Sequence, residues 1–140
     1  SSNAATVTIQ DNDVAPPPPL PSVTVTATDA TASEPGTDTG TLTFTRTGST
    51  AASLTVIFTV SGSATAGSDY SSLGTSVTIA AGATTAARVV SPINDTAAEG
   101  TETVIATISS NAAYSVGSPS AATVTLQDDD RPPTPPLRWP

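Results

Sequence analysis

The chain has 140 residues, a net charge of −8 from twelve acidic and four basic side chains, and neither cysteine nor histidine. These counts exclude disulfide frameworks and thiolate or imidazole metal sites, and they remove the usual general base of enzymes. The excess of acid also excludes nucleic acid as a partner, because phosphate backbones require surfaces lined by lysine and arginine.

Near the N-terminus, residues 4–13 alternate apolar and polar side chains and end in an acidic cluster, which predicts a short strand. Residues 121–130 repeat this segment with only two differences over ten residues. The repeat indicates that residues 1–13 are the last strand of a preceding copy, and it predicts a tandem array. Such a separated strand has unpaired backbone groups, so we expect residues 4–10 to pair with a sheet edge of this domain or a neighbour's.

Proline-rich residues 14–21 predict an extended linker, and residues 131–140 predict a second linker or tail. Between them, residues 22–130 are predicted to form the main domain. No apolar run approaches the roughly 20 residues of a membrane-spanning helix. Seven segments of the domain have strand-like alternation and are separated by turn residues: 22–27, 40–47, 54–61, 76–79, 86–90, 102–109 and 121–127. The pattern predicts an all-β fold, an immunoglobulin-like antiparallel sandwich of two sheets.

The acidic residues fall on one side of this predicted topology. If successive strands alternate in direction, the connections after the first, third and fifth strands emerge at the same end as the chain leaving the seventh. Eight acidic residues lie there: Glu34, Asp69, Asp95, Glu99, Glu102, Asp128, Asp129 and Asp130. Converging carboxylates repel one another by about 1 kcal/mol per close pair, so a cation is predicted to compensate.

Ligand chemistry selects the ion. Sites built only from oxygen ligands on flexible loops favour calcium over zinc, copper or magnesium. The cofactor predicted from the residues is therefore Ca²⁺. The alternative is a solvated acidic rim that serves solubility.

Four phrases of the sequence resemble the Calx-beta domain family, the repeat of sodium/calcium exchangers, of an integrin subunit and of large bacterial surface proteins. They are Ser33-Glu34-Pro35-Gly36, Thr65-Ala66-Gly67-Ser68-Asp69-Tyr70, Ile93-Asn94-Asp95 followed by Glu99 and Glu102, and residues 123–130. The resemblance implies a calcium-binding sandwich in which the same eight acidic residues occupy ligand positions. Asn94 stands where calcium-rich members often have aspartate, and its neutral amide oxygen is a weaker ligand, so we expect one or two ions.

These observations predict a calcium-binding structural and adhesion repeat of a large extracellular or cell-surface protein, with a bacterial source favoured. Its partners would be neighbouring repeats and a protein or glycan, and calcium would stiffen the junction between repeats. One rival is a metal-free spacer or adhesion module, and another is a regulatory calcium sensor in the cytosolic part of a membrane transporter. We do not expect an enzyme, because the single tryptophan lies outside the domain and no serine has a histidine partner.

Overall fold

The computed structural model describes residues 3–11, 19–34, 38–94 and 100–128. All seven predicted strands of the domain are present, four of them with the predicted bounds, and the other three within two residues. The strands are β1 (Ser22–Asp29), β2 (Thr31–Ser33), β3 (Gly40–Thr47), β4 (Leu54–Ser61), β5 (Ser76–Ile79), β6 (Thr85–Val90), β7 (Glu102–Ile108), β8 (Ser115–Val116) and β9 (Ala121–Gln127). None of the described elements is a helix long and apolar enough to cross a membrane.

The strands form two sheets, with the orders β6-β3-β1-β8 and β2-β9-β7-β4-β5. The predicted all-β fold and two-sheet sandwich are therefore confirmed. Two strands were missed, β2 and β8, and both pair in parallel, with β9 and β1 respectively. They have three and two residues, so they are too short to show the alternation by which a strand is recognised in a sequence.

Strand β2 exists because the chain changes sheets after β1. The register between β1 and β3 shifts between Ala27 and Asp29, and the Ala30 carbonyl then accepts a hydrogen bond from the Thr125 N–H at 2.8 Å. From Thr31 onward the chain pairs with β9 in the other sheet. This crossing carries the segment that ends at Glu34 to the edge of the second sheet.

The pairings fix the direction of every long strand. β1 and β6 are both antiparallel to β3, while β4 and β9 are both antiparallel to β7. The parallel pair of β2 with β9 relates the two sheets, because β2 continues the direction of β1. The strands therefore alternate in direction as predicted. The ends of β2, β4, β6 and β9 lie at one end of the sandwich, which we call the acidic end.

The core lies between the sheets and is built from the alternating apolar residues of the strands. Phe44 and Phe58 face each other from opposite sheets with ring centroids 5.1 Å apart, and both are almost fully buried. Glycine is required at position 40, the first residue of β3, because a Cβ there would overlap the side chain of Val124. Burying each large apolar side chain contributes about 1.5–3 kcal/mol, so this layer supplies most of the drive to fold.

The N-terminal segment differs from its prediction. Residues 3–11 form no strand, and the side chains of Val7 and Ile9 are 85% and 91% exposed. The absence of a strand over residues 4–11 leaves the assignment of residues 1–13 to a preceding copy as a prediction, because the last strand of such a copy would pair within the sheet of that copy. Residues 4–10 do not pair with a sheet edge in the part of this domain that the structure describes, so that expectation is wrong, and pairing with a neighbouring copy stays a prediction.

Candidate metal centre

A pocket opens at the acidic end of the sandwich, where four separate chain segments meet. Its lining contains four of the eight acidic residues that the sequence singled out, together with backbone and side chains of their neighbours: Glu34, Asp69, Gly100, Glu102, Leu126, Gln127 and Asp128. We call this the acidic pocket. Asp95, Glu99, Asp129 and Asp130 lie outside the described residues, and Asn94 is exposed and does not line the pocket.

Glu34 is positioned by strand β2. The Glu34 N–H donates a hydrogen bond to the Gln127 carbonyl at 3.0 Å, and the Ser33 N–H donates to the Asp38 carbonyl at 2.9 Å. The side chain of Ser33 also donates to Oδ2 of Asp38 at 3.3 Å. These bonds hold the chain against the end of β9, so Glu34 is only 9% exposed.

Asp69 is positioned by a tight turn in the connection between β4 and β5. Its Oδ2 accepts a hydrogen bond from the Thr65 N–H at 2.6 Å, and Gly67 in the turn has a φ of 85°, which favours glycine. The Ile93 N–H donates to the Asp69 carbonyl at 2.9 Å, which joins this turn to the connection after β6. A carboxylate has about four acceptor positions, so Asp69 can hold its turn and still bind a cation.

Glu102 and Asp128 come together through the pairing of β7 with β9. Glu102 is the first residue of β7 and pairs with Leu126, and Asp128 follows directly after the last residue of β9. Because the two strands are antiparallel, the start of one and the end of the other lie at the same end of the sheet. Their carboxylates therefore join Glu34 and Asp69 at the acidic pocket.

The acidic pocket concentrates negative charge without a basic side chain in its lining. Glu34 and Asp69 are both buried, at 9% and 7% exposure. Buried carboxylates are costly unless a positive charge or hydrogen bonds compensate them. Arg46 and Arg88, the basic residues in the described part of the chain, instead donate to backbone carbonyls elsewhere in the domain.

The donor set of the acidic pocket fits a hard cation. Every polar side chain in its lining offers oxygen, from carboxylates or from the amide of Gln127, and calcium prefers six to eight such oxygens. In the described ranges, no three acidic side chains are grouped closely enough to hold a metal ion as they stand. The residue types fit calcium.

Arg46, which the sequence analysis did not identify, holds two loops of the domain together. It is 3% exposed, and its guanidinium donates to the carbonyls of two loops at the end opposite the acidic pocket. The acceptors are Ala83 at 2.9 Å, Ala52 at 2.6 Å, Ala80 at 3.0 Å and Thr50 at 3.4 Å. The sequence could have indicated this role, because position 46 lies on the same buried face of β3 as Leu42 and Phe44.

The pKa of the Tyr70 phenol depends in part on the negative charge of its neighbour Asp69. Tyr70 is 1% exposed, and burial first and the negative charge of Asp69 second raise the pKa of its phenol above the ordinary value. The neutral phenol is therefore favoured in the folded chain. The contribution of neutral Tyr70 to the free energy of unfolding is fully present below the unfolded pKa of about 10, and it is lost as pH rises through the folded pKa.

We expect an Asp69→Asn substitution to lower the pKa of Tyr70 while leaving it above the ordinary value, because burial is the larger cause. Phenolate absorbance during an alkaline titration measures this pKa, and a Tyr70→Phe chain identifies its contribution against that of Tyr114. An unchanged Tyr70 pKa in the Asp69→Asn chain would contradict the electrostatic coupling.

The model of the Calx-beta domain family matches residues 20–130 of this chain. A search of curated proteins gave no match. Among solved structures, the apo-form Calx CBD1 domain matches with a TM-score of 0.62 and 17% identity, covering 79% of this chain and 99% of that one.

Two longer structures match equally well in shape. The calcium binding domain CBD12 of CALX1.1 has a TM-score of 0.60 and 19% identity, covering 76% of this chain and 44% of its own. CBD12 from CALX1.2 has a TM-score of 0.62 and 18% identity, covering 78% and 46%. This chain therefore spans less than half the length of those two structures, and at such identities the likeness shows a shared fold.

Proposed function

The chain belongs to the Calx-beta domain family, and from this premise we propose that it is a calcium-binding structural repeat. The observation that carries the proposal is the acidic pocket, where Glu34, Asp69, Glu102 and Asp128 arrive from four separate chain segments. The complete ligand set that we propose adds four acidic residues beyond the described ranges, which are Asp95, Glu99, Asp129 and Asp130. Asn94 would be a weaker ligand.

Calcium in the acidic pocket would add a further link between segments that come from distant parts of the chain. Glu34 directly follows β2, Asp69 belongs to the turn after β4, Glu102 is the first residue of β7, and Asp128 directly follows β9. One ion bound by all four would restrict the movement of these segments relative to one another. Because Asp128 leads out of the domain, the restriction extends to the chain that follows.

This geometry supports a role in stiffening a tandem array. β1 begins at the end of the sandwich opposite the acidic pocket, so consecutive copies would be arranged head to tail, with the acidic end of each beside the linker to the next. A calcium ion there would convert a flexible junction into a rigid one. We propose that the parent protein is an extracellular or cell-surface adhesin whose partners are its own neighbouring repeats and a protein or glycan.

Calcium titration of the chain tests the proposal. A ligand that binds only the folded state at a hundredfold excess over its Kd stabilises by about 2.7 kcal/mol, so we expect the melting temperature to rise by several degrees and to return when a chelator is added. No shift at millimolar calcium would remove the metal-binding function and leave the metal-free spacer.

A matched control is Asp29→Asn. Asp29 is exposed, lies at the acidic end, and does not line the acidic pocket. Its Oδ1 accepts from the Thr31 N–H at 3.3 Å, and asparagine retains that acceptor. The calcium-dependent shift should therefore persist in this variant, whereas a loss equal to that of pocket variants would indicate a diffuse effect of net charge.

A regulatory calcium sensor of a membrane transporter is the second candidate, and the likeness to the calcium binding domain CBD12 of CALX1.1 favours it. Affinity separates the two functions. Sensors bind calcium with a Kd of about 10⁻⁷–10⁻⁵ M, and extracellular modules with about 10⁻⁴–10⁻³ M. Isothermal titration calorimetry of this chain should give a Kd in the weaker range for a structural repeat, and a Kd in the tighter range would favour the sensor.

A further inference from the structure

The N-terminal segment is a near duplicate of strand β9. Residues 4–10 match Ala121–Gln127 at six of seven positions, and the one difference is Ile9 in place of Leu126. Residues 3–11 nevertheless form no strand in this structure, and Val7 and Ile9 are 85% and 91% exposed. The chain therefore carries two sequences of the same kind, of which one is packed as β9.

Residues 4–10 have the side chains needed to pack where β9 packs. β9 lies between β2 and β7 and buries two large side chains, Val124 and Leu126, at 0% and 6% exposure. We call this position, between β2 and β7, the β9 slot. Val7 would supply the same valine that fits against Gly40, and Ile9 would supply an isomer of leucine, a substitution that cores tolerate well.

The duplicate also extends into the acidic pocket. Gln127 and Asp128 line the pocket directly after the buried part of β9, and Gln10 and Asp11 hold the same places in the N-terminal segment. A segment seated in the β9 slot would therefore deliver an amide and a carboxylate to the same pocket. The exchange would preserve the charge of the described lining as well as the core, and beyond that lining Asn12 stands in the place of Asp129.

The reach of the chain decides whose slot can be filled. In its own β9 slot, Gln10 would stand opposite Ser33, as Gln127 does, and the strand rise from Ser22 to that level is about 36 Å. The link from residue 10 to residue 22 covers about 37 Å in the extended conformation of proline-rich chains, which leaves no length for it to reverse direction. A second copy of the chain imposes no such limit.

We propose that residues 4–11 of one copy can occupy the β9 slot of a second copy whose own β9 has left that slot, so that copies of this chain can associate by strand exchange. Backbone pairing with β2 and β7 supplies the affinity, and the insertion of Val7 and Ile9 into the core fixes the register. In the unaltered chain the copy's own β9 competes, because it is tethered to the slot and benefits from a high effective concentration. The inference is independent of calcium binding.

Variants of the 140-residue chain, altered at equivalent positions of the two segments, test the exchange. Val124→Asp makes the chain's own β9 costly to bury, so we expect its slot to be filled by residues 4–11 of another copy. This variant should melt cooperatively at a temperature that rises with protein concentration and should sediment as a dimer or larger assembly. Val7→Asp/Val124→Asp should lose that transition, and Val7→Asp alone should match the unaltered chain. Equal melting of the Val124→Asp and double-substituted chains would overturn the proposal.

A cross-link provides a second measurement, since the chain has no cysteine of its own. Thr123 pairs with Ile105 of β7, and Thr6 is its equivalent. In the Val124→Asp chain, the substitutions Thr6→Cys and Ile105→Cys should give an intermolecular disulfide under oxidation. Thr8→Cys with Ile105→Cys, two residues out of register, should give little. Equal yields from both pairs, or no intermolecular disulfide from either, would contradict the assigned register and overturn the exchange.

Discussion

Removing both buried carboxylates, in a Glu34→Gln/Asp69→Asn chain, is expected to abolish stabilisation by calcium while the calcium-free domain melts at or above the temperature of the unaltered chain. Both side chains are buried at the acidic pocket. Their negative charges attract a cation when it is present and repel one another when it is absent, by about 1 kcal/mol for a close pair. Neutralising them should therefore have opposite effects on the two states.

The substitutions are chosen to leave the local structure intact. Asparagine at position 69 retains an oxygen that can accept from the Thr65 N–H, as Oδ2 of Asp69 does at 2.6 Å. Glutamine at position 34 keeps the length of the side chain, and the backbone bond from its N–H to Gln127 is unaffected. The two substitutions therefore change charge with little change in shape.

Differential scanning calorimetry with calcium and with a chelator measures both effects in one experiment. The expected loss is the full calcium-dependent shift, equivalent to about 2.7 kcal/mol at a hundredfold excess of calcium over Kd. Asp29→Asn provides the control for net charge. If the double variant melted well below the unaltered chain without calcium and still shifted on adding it, Glu34 and Asp69 would have to be structural residues.

Arg46→Met is expected to cost about 2–4 kcal/mol of unfolding free energy, because hydrogen bonds from a charged donor are each worth about 1.5–3 kcal/mol and several backbone carbonyls lose their partner together. The guanidinium holds Ala52 of the loop after β3 and Ala80 and Ala83 of the loop after β5. Methionine fills a similar volume, so the effect isolates the lost hydrogen bonds. The total stability of such domains is about 5–15 kcal/mol, which makes this a large loss.

Arg88→Met is the matched control. Arg88 also points inward, at the edge strand β6, but it donates to Ser76 alone at 2.8 Å, and its buried Nε has no hydrogen-bond partner in the described ranges. Removing the guanidinium loses the hydrogen bond to Ser76 but also removes the cost of the buried Nε. We therefore expect the free energy of unfolding to change by less than about 1 kcal/mol. Urea unfolding compares the two variants, and equal costs would refute the assigned role of Arg46.

The calcium response should survive Arg46→Met as long as the domain folds. Arg46 contacts loops at the end of the sandwich opposite the acidic pocket, and distant sites without shared partners contribute additively to stability. A calcium-dependent shift that disappeared with Arg46 would instead indicate that the two ends of the sandwich are coupled.

The long strands were predictable because each buries one face, so apolar and polar side chains alternate along it with a period of two residues. The number and order of these strands, with successive strands taken to run in opposite directions, placed the acidic connections at one end. The short strands β2 and β8 escaped prediction because two or three residues carry no period. Residues 4–10 show the limit of the method, since they have the same pattern as β9 yet form no strand in this structure.

By itself, the sequence determined the all-β class, the strand order along the chain and the single end at which Glu34, Asp69, Glu102 and Asp128 lie. Only the tertiary structure decided that Glu34 and Asp69 are buried and that Arg46 joins the opposite loops. It also decided which of two nearly identical segments fills the β9 slot. The physical reason is that alternation is a local consequence of burial, whereas the depth of a carboxylate depends on strands brought together from distant parts of the chain. The crossing of β1 into β2 is the clearest case, because three residues that pair with β9 set the position of Glu34 in the acidic pocket.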